Sequence, residues 1–196
     1  MVIIMLESLT HIDQSLFLTL NGLHSPFFDQ FFYYATKPII WLPLYLLMLF
    51  LLIREFKWKT ITIVIAVALM ITTSDQLANV SKYGTKRLRP THEPGIEQLV
   101  HTVNDYRGGQ YAFYSAHASN NFAIAVFLLL LLRRRYRWLV PVLLIWASIM
   151  AYSRIYLGVH YPGDILAGIL MGIFLANLFT WITRKVVGYQ ERCLRL

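Results

Sequence analysis

Long apolar runs, separated by short polar and basic stretches, dominate the chain. The first clear run is 31–53, which is apolar except for Lys37, whose long side chain can extend to a membrane interface. Four more apolar runs follow it. They are 61–80, 116–132, 138–152 and 165–182. The pattern predicts an all-α integral membrane protein, built as a bundle of five to six transmembrane helices.

The segment 10–30 has a different pattern, because apolar residues alternate there with Asp13, Asn21 and Asp29. Such a mixture fits one or two amphipathic helices lying in the membrane interface, and an additional span is the alternative. The predicted organisation is therefore an N-terminal interfacial segment, a transmembrane domain with an outer loop, and a cytoplasmic tail. Their bounds are 1–30, 31–185 with the loop 91–114, and 186–196.

Composition supports a membrane protein, since 57% of the 196 residues are hydrophobic and 14% are charged. The first ten residues lack a basic region and contain Glu7, so we predict no cleavable signal peptide. The single cysteine, Cys193, allows neither an internal disulfide nor a cysteine-based metal site.

The positions of the basic residues predict the orientation. If the five runs alternate across the membrane, the clusters at 54–59, 133–137 and 184–195 fall on one side, which the positive-inside rule makes cytoplasmic. The stretches 82–114 and 153–164 then face outward, although both contain cations. The net charge of +8 thus indicates no nucleic-acid partner, and cations on the outer side need an anionic partner.

The stretch 153–164 combines Arg154, His160 and Asp164 between two apolar runs. Pro162 favours a helix that begins there, with His160 just ahead of its N-terminus. Asp164 can then reach one imidazole nitrogen and leave the other free to attack or to exchange protons. A capped helix start with a structural ion pair explains this stretch about as well.

Two other outer stretches contain candidate anion-binding residues. Lys82 and Arg89 are seven residues apart, so a helix would place both on one face, although a basic cluster attracted to anionic lipid is an equal alternative. Ser115 is placed like an N-cap, with the backbone N–H groups of Ala116 and His117 pointing outward. His117 is a candidate proton donor, and an interfacial histidine bonded to backbone is its simpler interpretation.

Together, the three stretches contain what phosphate-ester cleavage requires. Their order and spacing resemble the three-part signature of the type 2 phosphatidic acid phosphatase (PAP2) superfamily over roughly residues 60–185. The matching parts are Lys82, six residues, Arg89-Pro90; Ser115-x-His117; and Ser153-Arg154, five residues, His160, three residues, Asp164.

The resemblance implies a PAP2/haloperoxidase-like helical core and hydrolysis through a phosphohistidine without metal or cofactor. It implies that His160 is the nucleophile, that Asp164 orients it and that His117 is the general acid. The phosphoryl group would be held by Lys82, Arg89, Arg154, Ser115 and Ala116. The chain departs from the family pattern by carrying Tyr114 and Ala116 where proline and glycine are common.

The expected activity is removal of the terminal phosphate from a lipid phosphate or diphosphate at the outer, periplasmic face of a bacterial inner membrane. By analogy we favour undecaprenyl diphosphate, with phosphatidylglycerophosphate, phosphatidic acid and lipid A 1-phosphate as alternatives. The nonenzymatic alternatives are an anion-binding membrane protein or a channel. Expected partners are the substrate and membrane lipid, and the oligomeric state stays open.

Three further expectations concern the surroundings of this site. Asp75 is interpreted as a helix-packing residue rather than a partner of the cations. The histidines and carboxylates of the outer loop lack a compelling metal-ligand spacing. Gly108 and Gly109 suggest a mobile rim over the pocket.

Overall fold

The computed structural model of the chain describes residues 2–193, and the predicted all-α class is confirmed within that range. The described helices are α1 Val2–Asn21, α2 Pro26–Ala35, α3 Leu42–Phe56, α4 Thr60–Thr85, α5 Ala116–Leu132, α6 Leu139–Tyr156 and α7 Pro162–Cys193. The predicted tail at 186–196 therefore begins inside α7, and its last three residues lie outside the described range.

Within the described residues, three helical stretches are long and apolar enough to cross a membrane, namely Pro38–Thr85, Leu139–Tyr156 and Pro162–Gly188. The shorter helix Ala116–Leu132 is also apolar. The first stretch turns at Lys57–Lys59 and so contains both α3 and α4. Helices α3 to α7 thus correspond to the five apolar runs of the sequence.

The predicted first span, 31–53, is wrong as a single helix. Helix α2 ends at Ala35, and Lys37 is extended (φ −82°, ψ 122°) before the short 3₁₀ turn Pro38–Trp41. A proline has no N–H to donate and disfavours the helical conformation of the residue before it. The apolar run is continuous, but Pro38 divides the backbone, and α3 begins only at Leu42.

One end of the bundle, here called the site end, is where α4 and α6 finish and α5 and α7 begin. Backbone hydrogen bonds join these termini: the Ser115 N–H donates to the Asp164 carbonyl (3.1 Å), and the His160 N–H donates to the Arg154 carbonyl (3.2 Å). The Arg87 side chain, from the stretch after α4, donates to Asp164 (2.7 Å). The three stretches singled out in the sequence are therefore neighbours in space.

The basic clusters lie at the opposite end. The Tyr136 hydroxyl donates to Glu55 across 3.2 Å, which brings the end of α3 against the turn after α5. The Arg184 guanidinium donates to the carbonyl of Leu130 near the end of α5 (2.8 Å). The predicted grouping of these clusters at one end agrees with these contacts.

Small residues bring α5 and α7 into close contact. A Cβ atom added to Gly168 would lie 2.6 Å from the Ser115 carbonyl oxygen, and one added to Gly172 would lie 2.4 Å from that of Ser119. A small residue at every fourth position lets two helix backbones approach closely, as in membrane helix pairs. This packing fixes the N-terminus of α5, with Ser115, relative to the start of α7.

Helix α1 runs across the site end. The Gly163 N–H donates to Asp13 (2.8 Å), and the side-chain amide of Asn21 donates to the carbonyls of Ile155 and Tyr156. Asp13 and Asn21 are about 12 Å apart along a helix, yet both contact the same end of the bundle. Ile12 and Leu16 are exposed on another side of α1. This placement favours the interfacial interpretation of segment 10–30, which stays a prediction.

Candidate active site

The His160 imidazole lies in the turn between α6 and α7, directly before the helix that begins, as predicted, at Pro162. Its Nδ1 is 3.4 Å from Oδ2 of Asp164, and both side chains are buried. Burial lowers the pKa of His160 to about 4, although the nearby Asp164 carboxylate acts to raise it. The imidazole is therefore neutral at neutral pH, which is the form that a nucleophile requires.

Asp164 is held from two further directions. Its Oδ1 accepts a hydrogen bond from Nη1 of Arg87 (2.7 Å), and its Oδ2 accepts one from the Tyr161 N–H (3.0 Å). Burial acts against the charge of Arg87, but Asp164 and Asp13 outweigh it, so the pKa of Arg87 is raised. Asp164 is thus a fixed carboxylate that can orient His160.

Sequence reasoning gave no role to Arg87 or Asp13. Arg87 is one of several cations in the outward-facing stretch 82–114, and its spacing does not set it apart from Lys86. Asp13 is 74 residues away from Arg87 in sequence, so only the folded chain brings them together.

His117 lies in the first turn of α5, and Ser115 is the N-cap, as predicted. The Ser115 hydroxyl accepts a hydrogen bond from the Ala118 N–H (3.4 Å). Among the described residues, Nε2 of His117 is buried without a hydrogen-bond partner. The charges of Arg154 and His160 act on His117, so these three side chains are near one another at the site end. A buried, unpaired nitrogen is costly, and a bound phosphate ester would give it a partner.

Arg154, in the last turn of α6, is 8% exposed. Tyr106 of the long loop and the guanidinium of Arg89 both act on its charge. Within the described range its Nε is buried without a hydrogen-bond partner. A buried guanidinium with an unpaired donor can bind an anionic oxygen at little reorganisation cost.

Arg89 is held beside the turn that carries His160 by the loop after α4. Its Nε donates to the Tyr111 carbonyl (3.0 Å). A Cβ atom on Gly108 would lie 2.4 Å from its Nη1 and 3.3 Å from Val159, the residue before His160. Gly108, at φ 67°, therefore packs directly against this guanidinium, and the prediction that it belongs to a mobile rim remains untested.

Lys82 occupies the last turn of α4, and its charge acts on His160 together with that of Arg89. The carboxylates of Asp75 and Asp164 act on Lys82 in turn. Asp75 also accepts a hydrogen bond from the Asn120 side chain on α5 (2.9 Å), which gives it the helix-packing contact expected from the sequence. The structure thus brings the predicted cations to the same end of the bundle as the two histidines, and Lys82 and Arg89 line one cavity there.

Tyr114, at the position where the PAP2 pattern commonly has proline, anchors the segment before α5. Its hydroxyl donates to the Ser74 carbonyl (3.1 Å), and its N–H donates to the Ser81 hydroxyl (3.2 Å). Both contacts tie the segment to α4. Ala116 begins α5 in spite of the missing glycine.

Part of the long loop is bound to the N-terminal helices. Nε2 of His101 lies 2.8 Å from Asp29, which also accepts a hydrogen bond from the Tyr156 hydroxyl. Burial acts to raise the pKa of Asp29, but the bonds from Tyr156 and His101 outweigh it and lower that pKa. Among the described residues, no three histidine, cysteine or acidic side chains are grouped so that they could hold a metal ion.

Comparison with known proteins identifies the family of the chain. A model of the PAP2 superfamily matches residues 63–187. The lipid A 4'-phosphatase of Bacteroides thetaiotaomicron is 44% identical over 187 residues, which cover 94% of this chain and 82% of that protein. The undecaprenyl-diphosphatase of Sulfolobus acidocaldarius is 31% identical over 160 residues, which cover 82% of this chain and 69% of that protein.

A solved structure supports the fold. The transmembrane PAP2-type phosphatidylglycerolphosphate phosphatase from Bacillus subtilis superposes with a TM-score of 0.69 at 20% identity, covering 91% of this chain and 88% of that chain. The helical bundle with its cationic, histidine-containing end defines a membrane lipid phosphatase. The chain belongs to the PAP2 superfamily.

The pocket predicts unequal effects for two cations of the site end. Arg154→Ala removes a buried guanidinium, so we expect turnover to fall on the order of 10²-fold. Lys86 is exposed and in the left-handed region (φ 51°), which asparagine tolerates, so Lys86→Asn is the matched control, expected to stay within about twofold. Phosphate release by purified variants in detergent measures both, and equal losses would contradict the pocket drawn here.

Proposed function

We propose that the chain hydrolyses lipid phosphates through a phosphohistidine on His160. Nε2 of His160 attacks phosphorus, the bond from phosphorus to the leaving oxygen breaks, and His117 gives that oxygen a proton. Water then attacks the phosphorus of the phosphohistidine while His117 takes a proton from the water. The bond from phosphorus to Nε2 of His160 breaks, and inorganic phosphate leaves. Asp164 orients His160 in both steps and stabilises the positive charge that develops on its imidazole.

The remaining predicted residues stabilise charge on the phosphoryl oxygens. Arg154 and Arg89 can each offer two donors to a phosphate, and Lys82 adds a compact charge. The Ala116 N–H, with Ser115 as the cap, lies at the N-terminus of α5, where the helix dipole favours an anion.

One observation carries this proposal: two imidazoles and three cations, from four separate helix ends and a loop, are close enough at one end of the bundle for their charges to act on each other. A capped helix start with a structural ion pair explains His160 and Asp164 alone. It gives no reason for the unpaired buried nitrogens of His117 and Arg154 in the same pocket.

For the substrate, we propose the 4'-phosphate of a lipid A-type glycolipid. The similarity to the Bacteroides thetaiotaomicron enzyme over nearly the whole chain supports this choice over undecaprenyl diphosphate, which we favoured from the sequence alone. Undecaprenyl diphosphate stays the second candidate, supported by the Sulfolobus acidocaldarius relative.

We further propose that the site end faces the periplasm of a bacterial inner membrane. Arg54, Lys57 and Arg133 to Arg135 lie at the other end of the bundle, where the positive-inside rule expects cytoplasm. A substrate headgroup exposed on the outer leaflet would then meet the pocket directly.

A substrate panel tests the proposal. Purified protein in detergent with a chelator is given lipid A bisphosphate, undecaprenyl diphosphate, phosphatidylglycerophosphate and phosphatidic acid, and tandem mass spectrometry locates the lost phosphate. We expect lipid A to lose its 4'-phosphate at the highest kcat/KM. A higher value for undecaprenyl diphosphate would replace the first candidate by the second, and failure to release phosphate from any of the lipids would refute both.

A further inference from the structure

A chain of charged hydrogen bonds connects α1 to the catalytic pair. Nη2 of Arg87 is 2.6 Å from Oδ2 of Asp13, and Nη1 of Arg87 is 2.7 Å from Oδ1 of Asp164. The other oxygen of Asp164 faces His160 at 3.4 Å. One guanidinium thus bridges two carboxylates, and the second of these contacts the nucleophile.

Asp13 is held in place by a second contact, because its Oδ1 accepts a hydrogen bond from the Gly163 N–H (2.8 Å). A Cβ atom on Gly163 would lie 2.7 Å from Asp13, so glycine is what lets the carboxylate approach the backbone. An aspartate at a helix N-terminus also interacts favourably with the helix dipole, here that of α7. Asp13 therefore holds both the start of α7 and the side chain of Arg87 in place.

The face of α1 that carries Asp13 packs against the site end of the bundle through buried side chains. Phe17 and Asn21 follow at four-residue intervals, so all three share one side of the helix. Phe17 is fully buried and meets the Tyr161 ring edge to face, with ring centroids 5.5 Å apart. The buried Asn21 donates to the carbonyls of His101, Ile155 and Tyr156, and accepts from the His101 N–H.

Arg87 is also confined on its flat face, because its guanidinium carbon lies 4.3 Å from the centroid of the Tyr161 ring. A guanidinium stacked on a ring and bonded at both terminal nitrogens has little freedom to turn. Its orientation toward Asp164 therefore depends on Asp13.

We propose that Asp13 is a positioning residue for catalysis, acting through Arg87 to keep Asp164 aligned with His160 and to preserve its strength as a hydrogen-bond acceptor. This inference rests on the proposed role of His160 as nucleophile. Helix α1 then contributes a positioning residue to the active site, although the region that matches the family model begins only at residue 63.

The charge balance gives the sign of the effect. In the native protein Asp13 neutralises part of the charge of Arg87. Arg87 therefore offsets less of the negative potential that Asp164 produces at the His160 imidazole. With asparagine at position 13, Arg87 acts fully on Asp164, and the surroundings of His160 become more positive by one charge. The other groups that face His160 stay unchanged; they are Lys82 on α4, Arg89 in the loop, and His117 on α5 beside Arg154 of α6.

The test compares Asp13→Asn, Asp13→Glu and a matched control, Glu97→Gln, which removes one charge from an exposed position of the loop. For Asp13→Asn we expect kcat/KM on a lipid phosphate to fall about tenfold. We also expect the acid limb of its pH profile to move to lower pH. Asp13→Glu should restore most of the rate and the native limb, and Glu97→Gln should match the native protein.

If Asp13 had a purely structural role, Asp13→Asn would lower the fraction of active protein without moving the acid limb of the pH profile. An unchanged limb in Asp13→Asn, or equal effects in Asp13→Asn and Glu97→Gln, would overturn the proposal. If Asp13→Asn does not fold, Arg87→Lys is the test, because it keeps the charge but loses the contact with both carboxylates. We expect its kcat to fall with little change in KM. A native kcat would refute the inference. Turnover that persists in His160→Ala would instead refute the proposed nucleophile, so the two failures are distinguishable.

Discussion

Replacing His160 with alanine is expected to abolish lipid-phosphate hydrolysis, with turnover falling by on the order of 10⁴-fold or more. The variant loses the only group proposed to form a bond to phosphorus, and neighbouring cations cannot replace it. Phosphate release from lipid A bisphosphate in a chelator measures the loss. Phosphohistidine is labile in acid and stable in alkali, so the reaction with a radioactive substrate is quenched rapidly in alkali. The native enzyme should then carry label, and the variant should carry none.

The variant is expected to fold, so the loss can be assigned to chemistry. Asp164 retains its hydrogen bonds from Arg87 and the Tyr161 N–H, and no buried charge loses its main partner. An unfolding temperature close to that of the native protein in the same detergent is the control. Substantial residual turnover in a folded His160→Ala would contradict the nucleophile assignment.

The native pH profile follows from the same residue. Because burial lowers the pKa of His160 to about 4, the neutral nucleophile persists well below the ordinary histidine range. As pH falls through about 4 the imidazole gains a proton and kcat/KM declines, since this ratio reports groups of the free enzyme. Recovery of activity after return to neutral pH separates this titration from unfolding.

Much of the fold and site follows from the sequence because the signals are local. Apolar runs specify α4 to α7, Pro162 and Ser115 specify where helices begin, and the spacing from His160 to Asp164 is one helical turn. Each of these depends on residues within a few positions of one another, where backbone geometry alone decides the result.

The contacts that sequence reasoning missed are those between distant segments. The pairing of Asp13 with Arg87 and of Arg87 with Asp164 spans 74 and 77 residues, and no periodicity marks it. The break at Pro38 has a different cause. The length of an apolar run indicates that the segment lies in the membrane, but it does not show that a proline without a backbone N–H interrupts the helix. The proline itself was the available signal.

These long-range contacts also explain why several polar groups can coexist in a small buried space. Asp164 offsets part of the charge of Lys82, Arg89 and Arg87, while Arg87 divides its own charge between Asp164 and Asp13. An arriving phosphate completes the balance by adding negative charge beside the cations. We therefore expect the site end to bind an anion, which would separate it from an ordinary packed bundle end.

Replacing His117 with alanine is expected to make the reaction depend on the leaving group. A lipid or sugar alcohol leaves poorly without a proton, so we expect release from lipid A to fall on the order of 10³-fold. Para-nitrophenolate leaves without help, so the first step with para-nitrophenyl phosphate should slow by only about tenfold. Rapid mixing should then show a burst of one equivalent of para-nitrophenol, because the second step also needs His117 to activate water.

Arg154→Ala is the matched comparison for this experiment, since it removes a charge from the same pocket without removing a proton donor. It should slow both substrates by similar factors, because the guanidinium stabilises phosphoryl oxygens that the two substrates share. The ratio of the two substrates' rates thus separates proton transfer from charge stabilisation. If His117→Ala slowed the first step with both substrates equally, His117 would hold the phosphoryl group rather than donate a proton to the leaving oxygen.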